Sequence, residues 1–532
     1  MGSSFDLAEA LRKHGKKIRV PGTSLPRKVA GKAPNLTEFG NAERLVAQHG
    51  EDVRYCHTWG KWLIWDGIRW KVDVTGEMKR RAKQTVRQIY HEASQQAEEA
   101  DRKNIAKYAI KSESNTMIKS MLSLAQSEVG IPVTPDEFDA DPMLLNCLNG
   151  TLDLQRGVLL AHNRDHLITK LAPVEYDPQG TRPMWGDFLT RIMGGNQELI
   201  SFLQRAIGYC LTGLTTEQAL FFLFGTGANG KSTFLEILRC LLGDYAQQTD
   251  FETFLVQKYA TIRNDLAKLK GARMVSAVEV DSGKRLAEVL VKQITGGDTI
   301  SARFLHKEFF EFKPEFKVLL AANHKPQIRG TDYAIWRRIR LIPFTVTIPE
   351  DEQDKELPTK LKEELPGILA WAVEGCLQWQ KDGLKCPADV KAATEQYKDE
   401  MDLLRGFLDD KCLLDENLKA RARDLYGAYK EWCETNGEDP VAQRTFGMKL
   451  SERGLTRKRW GGAHYWFGIG LVTHGTDCTL SEGFSLHEAD TSEKDQFEGH
   501  NGSHGSHPKN PPKSDTKKRK NGDKPARQTS LF

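Results

Sequence analysis

Between Phe221 and Thr233 the chain reads FFLFGTGANGKST, and the residue types in that stretch suit the handling of phosphate. An apolar run from Ala219 to Phe224 leads into Gly225, Gly227 and Gly230, after which Lys231, Ser232 and Thr233 open a helix-like pattern. Glycines at these places let backbone N–H groups turn toward an anion where a side chain would collide. The helix that follows aims the positive end of its dipole at the same point. Lys231 is placed to reach β and γ phosphates and Ser232 to ligate Mg²⁺, with Asn229 and Thr233 completing the cradle. A strand before and a helix after separate such a loop from a chance spelling. The sequence therefore predicts binding of a nucleoside triphosphate with Mg²⁺.

Phosphate binding alone would suit a kinase, a GTPase or a packaging motor, so the segments that follow decide. Arg273–Asp281 (RMVSAVEVD) reads as a strand ending in Glu279 and Asp281, carboxylates that can hold Mg²⁺ through water and orient an attacking water. Lys292–Pro314 predicts a hairpin with arms Ile300–Phe304 and Phe309–Phe312, and His306 and Lys307 at its tip. A lysine at such a tip, read alone, is a solvated charge. Val318–Asn323 (VLLAAN) predicts a buried strand that delivers Asn323 to the γ-phosphate or the lytic water. Trp336–Phe344 sets Arg337, Arg338 and Arg340 beside an apolar strand. An arginine there can stabilise the charge of a transferring phosphoryl group.

At these residues the chain resembles the superfamily 3 helicases of the phage and poxvirus primase-associated type. The signals are GTGANGKST, AVEVD, KQITGGDTI, FKVLLAANHKP and WRRIRLIPF, in the family's order and spacing. The resemblance continues upstream through Leu144–Leu154, Val174–Pro178 and Ile207–Gly213, and downstream through AYKEWCETNG, covering about Asn35 to Leu471. It implies an α/β fold: a P-loop AAA+-like helicase core, an α+β N-terminal domain, a helical linker and a C-terminal winged helix. It makes ATP the nucleotide, Lys231 and Ser232 the Walker A pair, Glu279 and Asp281 the Walker B acids, and Asn323 the sensor. Arg338 resembles the trans-acting arginine finger, with Arg337 left open as the alternative. His306 and Lys307 resemble the DNA-tracking element of a ring, implying a hexamer that moves 3′ to 5′ on single-stranded DNA and opens forks. Longer members carry a primase domain ahead of this region. The expectation is that this chain makes no primers and works with a separate primase.

These residues need elements to position them, and the chain divides accordingly. Residues 1–34 mix Lys, Arg, Gly and Pro without periodicity and predict a disordered basic arm; 35–184 form the N-terminal domain and 185–348 the ATPase domain. Residues 349–401 are helical, 402–471 form the winged-helix-like unit, and 472–532 form a disordered tail. Within the N-terminal domain, Val53–Val72 predicts a strand pair turned at Asp66-Gly67, with Trp59, Trp62, Trp65 and Trp70 forming a small core rather than a base-stacking surface. Asp139 and Asp141 evoke metal-binding carboxylates, but their polar-loop setting argues against a catalytic role.

In the C-terminal unit, helices are predicted at Ala420–Asn436 and Gln443–Arg453, then two strands around Gly461-Gly462. Arg457, Lys458 and Arg459 on the first strand suit either DNA or a protein partner. The chain ends Gln528-Thr529-Ser530-Leu531-Phe532, which resembles the peptide that replication proteins insert into a bacterial sliding clamp. Gln528 would serve as a polar latch, Leu531 and Phe532 as apolar anchors.

The bulk properties agree with a nucleic-acid enzyme without demanding one. Over 532 residues the net charge is only +4, and a basic groove can hide inside that balance. The nine cysteines include no C-x-x-C pair, which excludes a familiar zinc ribbon and suggests reduced thiols. No apolar run is long enough to span a bilayer, and Met1–Lys17 lacks a signal-peptide core. The expected setting is the cytoplasm of a bacterial host, the expected function that of a replicative helicase of a phage, prophage or plasmid. An ATP-switched initiator or helicase loader is the alternative. A packaging ATPase would bring a nuclease domain, and no downstream acidic cluster suggests one.

Overall fold

The computed structural model describes residues 34–257, 263–278, 284–305, 307–328 and 333–472. The first helix, α1 (Glu38–His49), starts at Thr37, whose hydroxyl accepts from the Gly40 N–H at 3.0 Å and so satisfies one orphan donor of the first turn. Three strands follow, β1 (Val53–Cys56), β2 (Lys61–Trp65) and β3 (Trp70–Val72), in an antiparallel meander. The expected strand pair is thus a triplet. The turn at Asp66-Gly67 is there, and a second forms at His57–Gly60, where Gly60 takes a positive φ of 61° and its N–H closes onto the His57 carbonyl. Helices α2 (Glu77–Ser94), α3 (Glu99–Ser112) and α4 (Asn115–Ala125) come next. Apolar residues at helical spacing, including Met78, Ala82, Val86, Ile118 and Met121, pack with Leu45 and Val53 into one buried cluster.

A second antiparallel meander, β4 (Leu144–Cys147), β5 (Gly150–Asp153) and β6 (Val158–Leu160), leads to helices α5 (Pro183–Ile192) and α6 (Gln197–Leu211). Asp139 and Asp141 precede it as turn-formers. The Asp139 carboxylate accepts from the Thr169 N–H and hydroxyl, and Asp141 accepts from the Met143 N–H at 2.8 Å.

The centre of the molecule is a five-stranded parallel sheet. Its members are β7 (Leu220–Phe224), β8 (Ala246–Gln248), β9 (Met274–Val278), β12 (Lys317–Ala322) and β13 (Ile339–Pro343), in the order β13-β7-β12-β9-β8. Between β9 and β12 lie helix α8 (Glu288–Gly296) and the hairpin β10 (Ile300–Ala302) and β11 (Phe310–Phe312). The continuous apolar runs of β7 and β12 fit their central places, where both faces of a parallel strand are covered. Helix α7 (Lys231–Leu242) follows β7; helices α9 (Leu365–Asp382) and α10 (Ala388–Glu400) follow the sheet. The largest buried cluster joins β4–β5, α5, α6, α7 and α9 in one core, reaching from Met143 to Val390.

Two buried cations tie this arrangement together. Arg273, just ahead of β9, donates to the carbonyls of Leu211 and Leu144, each at 2.6 Å, and lies over the Tyr245 ring. Lys317, the first residue of β12, donates to the Thr212 and Leu214 carbonyls and lies over the Tyr209 ring. Both cations therefore satisfy carbonyls at the C-terminal, electronegative end of α6.

Burial pushes Lys317 down from its usual 10.5 to about 7, and neighbouring Arg273 adds to the shift. Between those values the unfolded chain holds a proton that the folded chain releases, so this group adds stability as pH rises through the window. The unfolding midpoint of the natural chain is expected to gain on that of a Lys317→Met variant as pH climbs from about 7 to about 9. A constant difference measured by scanning calorimetry would contradict it.

The C-terminal unit has α11 (Ala422–Thr435) and α12 (Gln443–Glu452) against strands β15 (Lys419–Arg421), β16 (Thr456–Trp460) and β17 (Ala463–Phe467), in the order β15-β17-β16. A short pair, β14 (Cys412–Leu413) with β18 (Gly470–Leu471), closes it. Its core is Phe407, Tyr429, Phe446 and Trp466. Among the described residues no helix is long and apolar enough to cross a membrane.

Candidate functional site

The loop from Gly225 to Gly230 runs from the C-terminal end of β7 into α7, and its three glycines are required for different reasons. A Cβ on Gly225 would lie 2.2 Å from the Phe344 carbonyl oxygen. Gly227 adopts a φ of 109°, a backbone conformation that other residues avoid. Gly230 combines a φ of 80° with close packing, since a Cβ there would lie 2.6 Å from Ile192 in α5. Gly230 is also the N-cap of α7 and offers no side chain to its first turn, so Lys231, Ser232 and Thr233 begin the helix with amides available to an anion. Ser232 is exposed there.

The helices behind the loop hold it in place. Trp185 of α5 stacks on Phe234 of α7 at 5.8 Å, and Glu364 caps α5 by accepting from the Met184 and Trp185 N–H groups. On the opposite flank the Ile348 N–H donates to the Ala228 carbonyl at 2.7 Å.

Lys231 is 6% exposed, and its ammonium donates to three oxygens: the Gly225 carbonyl at 2.7 Å, Asn229 Oδ1 at 2.9 Å and Asn323 Oδ1 at 3.2 Å. All three are neutral, and burial brings the lysine down from 10.5 to about 8, still charged at neutral pH. A desolvated cation held by neutral dipoles is prepared for an anionic ligand. Asn323 extends from the end of β12, which pairs in register with β7, and so the two strand ends bring Lys231 and Asn323 together. Asn229 differs from a ligand-facing cradle residue. Its side chain is 3% exposed and bridges Lys231 to the Phe344 carbonyl, so it positions the lysine.

These residues fit a triphosphate: an uncapped helix terminus, a glycine turn and one buried cation converge. Bound Mg²⁺ would neutralise charge on the transferring phosphoryl group. Ser232 would be its protein ligand here; Glu279 and Asp281, expected to join it, lie outside the described residues, as does His306. Lys307 is exposed beside the β10–β11 hairpin.

Arg337 and Arg338, just ahead of β13, lie in different surroundings. Arg338, expected to reach across to a neighbouring subunit, is 8% exposed and turned inward, with Nε donating to the Thr295 hydroxyl at 3.0 Å and Nη1 to the Ala334 carbonyl. Arg337 is the exposed member of the pair and donates to Gln218 at 2.6 Å. Sequence adjacency gave no sign of which guanidinium faces solvent.

Lys325, two residues beyond Asn323, went unnoticed in the sequence. It lies over the rings of Phe224 and Tyr397 and pairs with Glu400 of α10 at 2.6 Å, linking the loop after β12 to the helix that leads to the C-terminal unit. Its place two residues after Asn323 was the available signal.

In the C-terminal unit Arg457, Lys458 and Arg459 are all exposed on β16, an edge strand. They pair with Trp466, Tyr465 and His464 in turn, so strand alternation puts Arg457 and Arg459 on one face and Lys458 on the other. The tail residues Gln528, Leu531 and Phe532 lie outside the described residues.

Residues 42–194 match a family described as D5 N terminal like, 223–338 a family of unknown function (DUF5906), and 399–460 a family described as poxvirus D5 protein-like. A candidate helicase of Acanthamoeba polyphaga mimivirus is 28% identical over 64% of this chain and 38% of its own length. The protein named Primase D5 of fowlpox virus (strain NVSL) is 24% identical over 39% of this chain and 28% of its own. The chain thus spans well under half the length of these curated relatives. The solved C-terminal region of NrS-1 aligns over 81% of this chain and 99% of that one, at 12% identity and a TM-score of 0.45. With D5-type matches on both sides of the phosphate-loop region and viral relatives named as helicases or primase, the chain is similar to the D5-like primase–helicase family.

Proposed function

We propose that the chain is an ATP-hydrolysing motor that translocates on single-stranded DNA and opens forked duplexes during replication. The observation that carries this reading is the meeting of Lys231 and Asn323 at the C-terminal edge of a parallel sheet. In α/β sheets that edge is where ligands bind. Lys231 holds the β and γ phosphates, the α7 amides receive the same anion, and Asn323 reports the state of the γ-phosphate through its contact with Lys231. Glu279 and Asp281 orient water and, with Ser232, the Mg²⁺. Arg337 supplies the finger to the adjoining subunit of a ring, in the family a hexamer moving 3′ to 5′. Lys307, with His306, follows the strand through the ring, and Arg457 and Arg459 contact DNA from the C-terminal unit.

The test is steady-state ATP hydrolysis by the full chain with and without single-stranded DNA, followed by unwinding of a labelled fork. Stimulation by the strand together with unwinding is the expected result. Hydrolysis that ignores DNA, with no unwinding, would replace the motor by an ATP-switched initiator or loader.

A further inference from the structure

The tryptophans of the N-terminal region do not share one fate. Trp70 is 1% exposed and sits in the core, whereas Trp59 is 41% exposed, with one ring face stacked on Phe138 at 5.5 Å and 15°. Trp59 borders a groove of about 400 Å³ between the β1–β3 meander and the turn ahead of β8. Arg69, Lys71 and Lys170 line the same groove, with Asp244 as the carboxylate among its lining residues. That carboxylate accepts from Arg69 and from the Leu171 N–H, so its charge is already engaged in the wall. Lys71 pairs with Asp66 at 2.6 Å but keeps a half-exposed side chain, leaving its ammonium open to exchange. The groove therefore joins a large aromatic surface to an excess of positive charge.

An unbranched chain of phosphates and planar bases matches both features. Every base has a π-face for an indole, and phosphates recur along the strand for the lysines, without any reading of sequence. The volume suits a nucleotide rather than a duplex. We infer that this groove is a binding site for single-stranded nucleic acid, with a base on Trp59 and neighbouring phosphates on Lys71 and Lys170.

Its place in the fold separates it from the phosphate loop. Ala246 of β8 pairs with Met274, the first residue of β9, so the groove flanks the N-terminal edge of the sheet. Lys231 and Asn323 occupy the C-terminal edge. A strand held in the groove would be gripped at a second point, away from the hydrolytic machinery. The inference rests on the proposed motor reading, and the experiment separates the two.

The full chain is titrated, without nucleotide and at low salt, against a fluorescein-labelled oligothymidylate by anisotropy. Trp59→Ala is expected to weaken binding about tenfold, the effect of losing one stacked base, while Trp59→Phe stays within about threefold of the natural chain. Lys71→Glu with Lys170→Glu should weaken binding and make the salt dependence shallower by roughly 1 to 1.5, as expected for two lost phosphate contacts. DNA-independent ATP hydrolysis should remain unchanged in all these variants. Natural affinity and an unchanged salt slope in the variants would overturn the groove and leave the motor standing. Failure of the natural chain to bind the oligonucleotide would overturn both.

Discussion

A Lys231→Ala chain is expected to lose about 10² to 10³ in ATP hydrolysis while remaining folded. The magnitude is that of removing one preorganised electrostatic donor from a water-poor site. Two further observables distinguish loss of function from loss of fold. Because Lys231 is buried among neutral oxygens, deleting it removes a desolvated cation, and the melting temperature without ligand should hold or rise. ATP at about a hundred times its Kd would stabilise the natural chain by about 2.7 kcal/mol, and that gain should vanish in the variant. Thermal unfolding with and without ATP measures both. Retention of the ATP-dependent gain would mean that the phosphates are held elsewhere.

Arg337→Ala is expected to lower hydrolysis by about a thousandfold or more while leaving ATP-dependent stabilisation intact, since a finger acts on the transition state rather than on ground-state binding. Mixing Arg337→Ala with Lys231→Ala subunits should recover part of the activity. At half of the mixed interfaces an intact phosphate loop would meet an intact finger. Arg338→Ala should behave differently. Its guanidinium is bound within its own subunit to Thr295 and Ala334, so its removal should lower the melting temperature first. Recovery on mixing with Arg338→Ala but not with Arg337→Ala would return the finger to Arg338.

What the sequence revealed depended on distance along the chain. The loop between β7 and α7 was legible because its glycines, its lysine and its flanking elements are contiguous, and the phosphate chemistry constrains each of them. The β16–β17 hairpin at Gly461-Gly462 was legible for the same reason: turn residues lie between two patterned strands. The contact of Asn323 with Lys231 was not written in the sequence, since 92 residues separate them and only the pairing of β12 with β7 brings them together.

The inward turn of Arg338 was not legible, because its partner Thr295 lies 43 residues upstream on another element. The carboxylate that caps α5 comes from Glu364, about 180 residues downstream of the N–H groups it accepts from. The third strand of the first meander was missed because His57–Gly60 lacks the Asn-Gly or Asp-Gly spelling of a two-residue turn. The exposure of Trp59 was likewise not legible, and the residue that stacks on it, Phe138, lies outside that segment.

The buried cations at the end of α6 also impose an order in time. The carbonyl of Thr212 leaves the ribosome 105 residues before Lys317, the ammonium that will satisfy it. At roughly 5 to 20 residues per second that interval is about 5 to 20 s. Throughout it, the carbonyls of Thr212 and Leu214 at the end of α6 must keep to water. The first half of the nascent chain therefore waits, with its seam open, for strands that have yet to be translated.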